Sequence, residues 1–238
     1  MKNQLVIFLC LICSVPVIAQ KEIYRQDQEQ NPYYFGISLS GVSSRFQISH
    51  TPNFFQQDTI LVAEPLNSPG LSFRLVAALN LTNRFELRFN PGLIFIDRPI
   101  AYKINPNPSY PGDIDQGKDV KKSVESIVTT FPLLLKFKSD RIGNFRVYMI
   151  GGGKIDYDLA SNASKRKADD QVRLEKLTYG IEAGLGFSFY RKSVTVSPEI
   201  KISNGLNNLH NRNDLLNYSR VIDRIQSRMI VFTLHLEQ

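Results

Sequence analysis

The chain has 238 residues, a formal net charge of +7 and 42% hydrophobic residues. Beyond the N-terminal run Leu5 to Ile18, no apolar stretch reaches the ~18 residues of a membrane-crossing helix, so any membrane embedding must be by strands. Both cysteines, Cys10 and Cys13, lie inside that run, which excludes a disulfide framework for the rest of the chain.

Lys2, the apolar run and Val17-Ile18-Ala19 read as a secretory signal spanning residues 1–19, cleaved after Ala19. A lipoprotein signal on Cys10 or Cys13 is the rival, but Leu9 and Ile12 stand where a small residue is needed. Cleavage leaves about 219 residues with a formal charge of +6. Residues 20–32 are expected to form a short periplasmic extension, and residues 33–238 a single domain.

From Tyr33 onward the chain alternates. Tyr33 to Val42 points Phe35, Ile37 and Leu39 one way and Gly36, Ser38 and Ser40 the other. Leu71 to Asn80 sets Leu71, Phe73, Leu75 and Leu79 against Ser72, Arg74 and Asn80, and Arg84 to Ile96 sets Phe85, Leu87, Phe89, Leu93 and Phe95 against Glu86, Arg88 and Asn90. Val124 to Lys138 places Ile127, Phe131, Leu133, Leu135 and Phe137 opposite Lys136. Asn144 to Asp156 places Phe145, Val147 and Met149 opposite Arg146, Tyr148, Lys154 and Asp156. Leu177 to Tyr190, Val194 to Ser203 and Arg228 to Glu237 complete eight strands, with Glu182, Ser188, Glu199, Lys201, Thr233 and His235 on the polar side.

Charges fall on one face only, and connections alternate in length. Asn80 to Asn83, Ser139 to Gly143 and Arg191 to Ser193 are tight, whereas Ser43 to Gly70, Asp97 to Ser123, Tyr157 to Lys176 and Asn204 to Ser227 are long. Short turns on one rim and long loops on the other are the habit of outer-membrane barrels. The expected fold is all-β: an eight-stranded antiparallel up-and-down transmembrane barrel with both termini in the periplasm. A soluble β-sandwich also alternates, but has no reason to sort its connections by length.

The inward charges Arg74, Glu86, Arg88, Lys136, Arg146, Glu182, Glu199 and Lys201 are expected to pair into a network filling the lumen, since eight strands leave room only for side chains. Val128, Leu134, Ile94 and Ile96 make part of that interior apolar, and Pro91, Pro132 and Pro198 hint at bulges, edges or strands continuing beyond the membrane. Glycines 151–153 read as a structural close approach, and Gly180, Gly184 and Gly186 as space for facing side chains. In the loops, Lys165, Arg166, Lys167, Arg173 and Lys176 could meet outer-leaflet phosphates. Leu215, Leu216, Val221, Ile222 and Ile225 are spaced as in a short amphipathic helix capping the mouth or docking a partner.

No catalytic motif is present, and His50, His210 and His235 lie too far apart for a metal site to be expected. No enzyme activity, cofactor, nucleic-acid partner or small-molecule substrate is expected. A small-solute channel, a lipid-binding barrel and a lipid A-modifying enzyme using Ser203 and His210 are the alternatives.

Four segments, Leu61 to Gly70, Phe131 to Arg146, Tyr157 to Ala163 and Ser197 to Leu206, resemble the PorT family, called SprT in gliding bacteria. The likeness runs from about Tyr33 to Leu236. It implies an outer-membrane barrel of Bacteroidetes needed for type IX secretion of cargo with C-terminal sorting domains, and in some relatives for gliding. The partners it implies are outer-membrane lipid and other secretion components, with no enzyme activity and no established active-site residues.

Overall fold

A computed structural model describes residues 22–25, 31–51, 60–104, 119–160, 175–210 and 222–238. Ten β segments follow in order: β1 (Tyr33–His50), β2 (Ile60–Pro65), β3 (Ser68–Asn80), β4 (Phe85–Phe89), β5 (Gly92–Ile104), β6 (Asp119–Lys138), β7 (Phe145–Asp158), β8 (Leu177–Tyr190), β9 (Thr195–Gly205) and β10 (Ile222–Glu237). All described strand pairings are antiparallel, and β1 pairs with both β3 and β10, so the sheet closes.

The ten segments make eight barrel strands, each beside its chain neighbours. β2 and β3 both pair with β5 and are separated only by Leu66 and Asn67. β4 and β5 both pair with β3 and β6 and are separated only by Asn90 and Pro91. The register does not shift across Pro91: Phe89 faces Ala77 and Leu133, and Gly92 faces Arg74 and Thr130. The expectation of bulges or edges at the prolines is therefore corrected. Pro132 faces Lys154 and Pro198 faces Leu234 within continuous ladders. Proline lacks only the donor, and the carbonyls still accept, from Leu75 N to Pro91 O at 2.8 Å and from Asn90 N to Pro132 O at 3.3 Å.

Three tight turns join the strands at one rim. Thr82 Oγ1 accepts from the backbone of Phe85 at 3.0 Å, Ile142 and Phe145 exchange backbone bonds, and Arg191 N donates to Val194 O at 3.0 Å. Gly143 has φ +59°, which a side chain there would resist. At the other rim the strands outrun the expected ends. β1 continues to His50, β5 to Ile104 and β7 to Asp158, while β6 begins at Asp119 and β10 at Ile222.

The amphipathic helix is also corrected where it can be seen. Ile222 and Ile225 belong to strand β10, and Leu215, Leu216 and Val221 lie outside the described residues. A register shift between Ser49 and His50 sets Arg224 opposite Ser49 and Ile222 opposite His50, so one residue is extra. That bulge turns both isoleucines inward, and three-residue spacing then imitates a helix.

Outward side chains are large and apolar: Leu71 is 63% exposed, Leu39 60%, Phe232 58% and Leu75 56%. Each would gain about 1.5 to 3 kcal/mol on leaving water, so a continuous greasy wall of this kind belongs in hydrocarbon. Aromatics gather near the tight turns, with ring centroids 5.3 Å apart for Phe85 and Phe137, 5.3 Å for Phe145 and Phe189, and 6.0 Å for Tyr33 and Phe35. Such rings mark the interface of a membrane barrel.

Candidate functional site

All eight expected lumen charges are buried: Arg74, Glu86, Arg88, Lys136, Arg146, Glu182, Glu199 and Lys201. Inward parity places them on β3, β4, β6, β7, β8 and β9, and closure brings the strands face to face. Seven belong to one alternating chain, and Arg146 lies buried near its turn-side end.

The chain begins at the tight-turn rim. Glu86 receives Lys138 at 3.5 Å, Lys136 at 3.6 Å and Arg88 at 3.0 Å, and accepts a 2.6 Å hydrogen bond from Tyr34. Arg88 also binds Glu237 at 2.7 Å and Glu199 at 3.8 Å. Glu199 accepts from Tyr148 at 2.8 Å and faces Lys201 at 3.2 Å, and Glu182 then joins Lys201 at 3.4 Å and Arg74 at 3.8 Å. Lys136 lies 4.1 Å from the centre of the Tyr148 ring, where a cation is attracted to the aromatic face.

The glycines on β8 make this crowding possible. A Cβ on Gly186 would lie 2.3 Å from Tyr148 Cζ, and one on Gly184 2.4 Å from the Ile200 carbonyl oxygen. Gly186→Val should therefore destabilise the barrel by about 1 to 3 kcal/mol, the usual cost of overpacking. Urea unfolding in detergent reads this directly, and shortening the neighbour with Tyr148→Leu should recover part of the loss.

Sequence reasoning missed several members. Lys138 and Glu237 complete the first node; Lys154 and Asp156, read as inward from the sequence but not as part of the charge network, pair with each other, and Asp156 also accepts from Thr130 at 2.6 Å. Further from the turns, Arg98 meets Asp158 at 3.6 Å, donates to Ser126 at 2.8 Å and covers the Phe46 ring at 4.6 Å. For Arg98 the missing signal was parity carried past the assumed strand end, continuing the inward series of Ile94 and Ile96. Lys138 and Glu237 are the last residues of their expected strands, where the inward series of Leu134 and Lys136 and of Thr233 and His235 already pointed them into the lumen.

Above the ionic zone the interior turns mainly apolar, around the single Arg98–Asp158 pair. One buried cluster joins Val42, Ile94, Ile96, Val128, Met229 and Val231, and a second joins Phe46, Ala63, Ile100, Tyr102, Leu209, Ile222 and Ile225. Leu209 comes from the last long connection, its N–H bonded to Ile225 O at 2.8 Å and its carbonyl accepting from Glu175 at 2.8 Å. Among the described residues, the inner cavities beside Arg98 and Arg146 measure about 10 Å³ and about 20 Å³, room for a single water.

The tight-turn end is crossed by residues 22–25. Asn144 accepts from Tyr24 N at 2.8 Å and donates to Glu22 O at 2.7 Å, Arg141 donates to Tyr24 O, and Arg25 donates to the Glu237 carbonyl at 2.9 Å. Ser203 faces the closed lumen fully buried, opposite Glu182, and so is turned away from lipid. Among the described residues no three His, Cys, Asp or Glu side chains are grouped to hold a metal. The loop residues Lys165, Arg166, Lys167 and Arg173 lie outside the described residues.

A closed antiparallel wall, apolar outside and filled inside, defines an eight-stranded barrel of the outer-membrane type. Residues 25–211 match the family model described as outer membrane protein beta-barrel domain, and the chain belongs to that family. Among solved structures it is similar to Neisserial surface protein A, at 11% identity over 85% of this chain and 96% of that one, TM-score 0.42. OprG from Pseudomonas aeruginosa is 12% identical over 87% and 97%, TM-score 0.44. Ail of Yersinia pestis is 6% identical over 87% and 100%, TM-score 0.38. No curated protein matches in sequence.

Proposed function

We propose that this barrel is a non-enzymatic component of the type IX secretion machinery, required for export of cargo with C-terminal sorting domains and acting through its rims, loops or outer wall. The observation that carries the mode of action is the filled lumen, ionic from Lys138 to Arg74 and apolar from Val42 to Ile225. A polypeptide or solute crossing it would have to break that packing, so any part in export is played on the outside of the cylinder. The word secretion rests on the resemblance of Phe131 to Arg146 and the three other segments to PorT.

In this reading residues 1–19 are removed on export. The tight turns, the extension 20–32 and the C-terminus face the periplasm, and the long connections face outward. The docking of residues 22–25 across the turn-side rim supports treating the extension as a cap on that end. Deleting the gene should leave cargo with uncleaved sorting domains in the periplasm, detected by fractionation and blotting. Normal export from the deletion strain would end the proposal.

A further inference from the structure

The outer wall carries a juxtaposition that the lumen does not explain. Arg45 on β1 and Arg228 on β10 are directly opposed across the strands and share the outward face. Like charges so placed repel. Yet among the described residues neither has a hydrogen bond or an ion pair, and the nearest outward neighbours on the two strands, Gln47 and Gln226, carry no charge; the exposed acid Asp223 lies beyond Arg224 at the bulge, five residues from Arg228. Arg224 itself donates to the Leu206 carbonyl at 3.0 Å.

Immediately toward the membrane the same two strands become apolar. Two outward pairs below the arginines Gly41 faces Phe232, then Leu39 faces Leu234. A shallow, open groove of about 480 Å³ starts here, between Leu39, Gly41 and Phe232, and runs across Ile200 to Leu185 and Phe187 on β8. That is a volume in the range of small-molecule sites, set into a wall that hydrocarbon covers. Gly41 leaves the indentation: a Cβ there would meet no atom within 4 Å.

We propose that Arg45, Arg228 and this groove form a binding site for a phosphorylated, acylated glycolipid of the outer leaflet, the lipid A class. A phosphate lodged between two guanidinium groups accepts charge-assisted hydrogen bonds from both and cancels their repulsion. An acyl chain from the same molecule descends into the groove below. Charge at headgroup height and a furrow directly beneath it match a ligand that carries both parts. A free phosphate would use only the first, and a neutral lipid only the second. The choice of leaflet rests on the orientation proposed above, with the long connections outside.

The test uses the full mature chain, refolded in mild detergent and probed by native mass spectrometry. The probes are bisphosphorylated lipid A, its dephosphorylated form, phosphatidylglycerol and inorganic phosphate. Lipid A should bind one to one, and dephosphorylation should weaken it. Arg45→Gln with Arg228→Gln should weaken it about tenfold for each charge-assisted hydrogen bond removed, at 1.4 kcal/mol per tenfold. Gly41→Leu projects into the furrow from a Cβ position that meets no atom within 4 Å, and should weaken lipid A while leaving heat-dependent gel migration unchanged. Equal retention of lipid A by both variants, equal binding of the dephosphorylated form, or phosphatidylglycerol binding as tightly would each overturn the site. So would failure of Ser49→Cys to react with an impermeant thiol reagent on intact cells, which would put these arginines in the inner leaflet. Export of cargo by the deletion strain would remove the secretion role alone, and leave the lipid result standing.

Discussion

Replacing Arg88 with methionine should destabilise the folded barrel by about 3 to 5 kcal/mol, the cost of stranding buried charges when their partner is removed. Arg88 is fully buried and stands between three carboxylates, Glu86 at 3.0 Å, Glu237 at 2.7 Å and Glu199 at 3.8 Å. It also donates to Tyr34 Oη at 2.9 Å. Lysine is no substitute, because a single ammonium cannot address three carboxylates with the fan of donors that a guanidinium offers. The midpoint of urea unfolding in detergent, followed by the migration difference between boiled and unboiled samples, measures the loss. Adding Glu237→Gln to Arg88→Met should recover some of it, because one stranded charge disappears with its partner. A variant within about 1 kcal/mol of the wild type would mean that the network is not the core of this barrel.

Leu75→Arg should cost about 2 to 4 kcal/mol when the protein folds into lipid bilayers, since it puts a guanidinium on the hydrocarbon face in the middle of β3. The contrast with its neighbour makes the point. Arg74 is 1% exposed and sits in the ionic lumen, whereas Leu75 is 56% exposed on the wall, one residue and one face away. Leu81, in the tight turn after β3, is 51% exposed, and Leu81→Arg should cost only about 0 to 1 kcal/mol because the penalty fades toward the interface. On a soluble protein both changes would lie within about 0.5 kcal/mol of neutral. Equal, small effects at the two positions would therefore contradict a membrane wall.

The two faces of the sheet were legible residue by residue because strand parity is rigid and one misplaced charge is costly. Glu86, Lys136 and Lys201 turned inward as alternation required, and Phe85, Leu135 and Ile202 turned outward. Which inward charges meet was not legible, because Arg88 touching Glu237 depends on closure between strands at opposite ends of the chain. The strand ends were misread where polar and apolar residues thin out. Arg98 to Ile104 and Ile222 to Ser227 keep inward parity, but Pro99 and the bulge at the start of β10 disguise it. Pro132 and Pro198 suggested broken ladders, yet a missing donor leaves the neighbouring bonds intact. The proposed part in secretion has no comparable physical signature, since no side-chain constellation marks it and its support is the similarity of four segments to PorT.

The pairing of Gly36 with Glu237 through Ser49 with Arg224 closes the cylinder by joining the first described strand to the last. Nothing synthesised earlier can take the place of β10, and Arg25 reaches across 212 positions of chain to grip its final carbonyl. Every other pairing joins chain neighbours, so this closure is the one most distant in sequence, a slow kind of contact to form, and two strand edges stay raw until it completes. A chain truncated before Ile222 would present those edges, on β1 and β9, to hydrocarbon that offers them no hydrogen bonds. The edges of β1 and β10 must therefore be kept from pairing elsewhere until the two strands can be laid side by side.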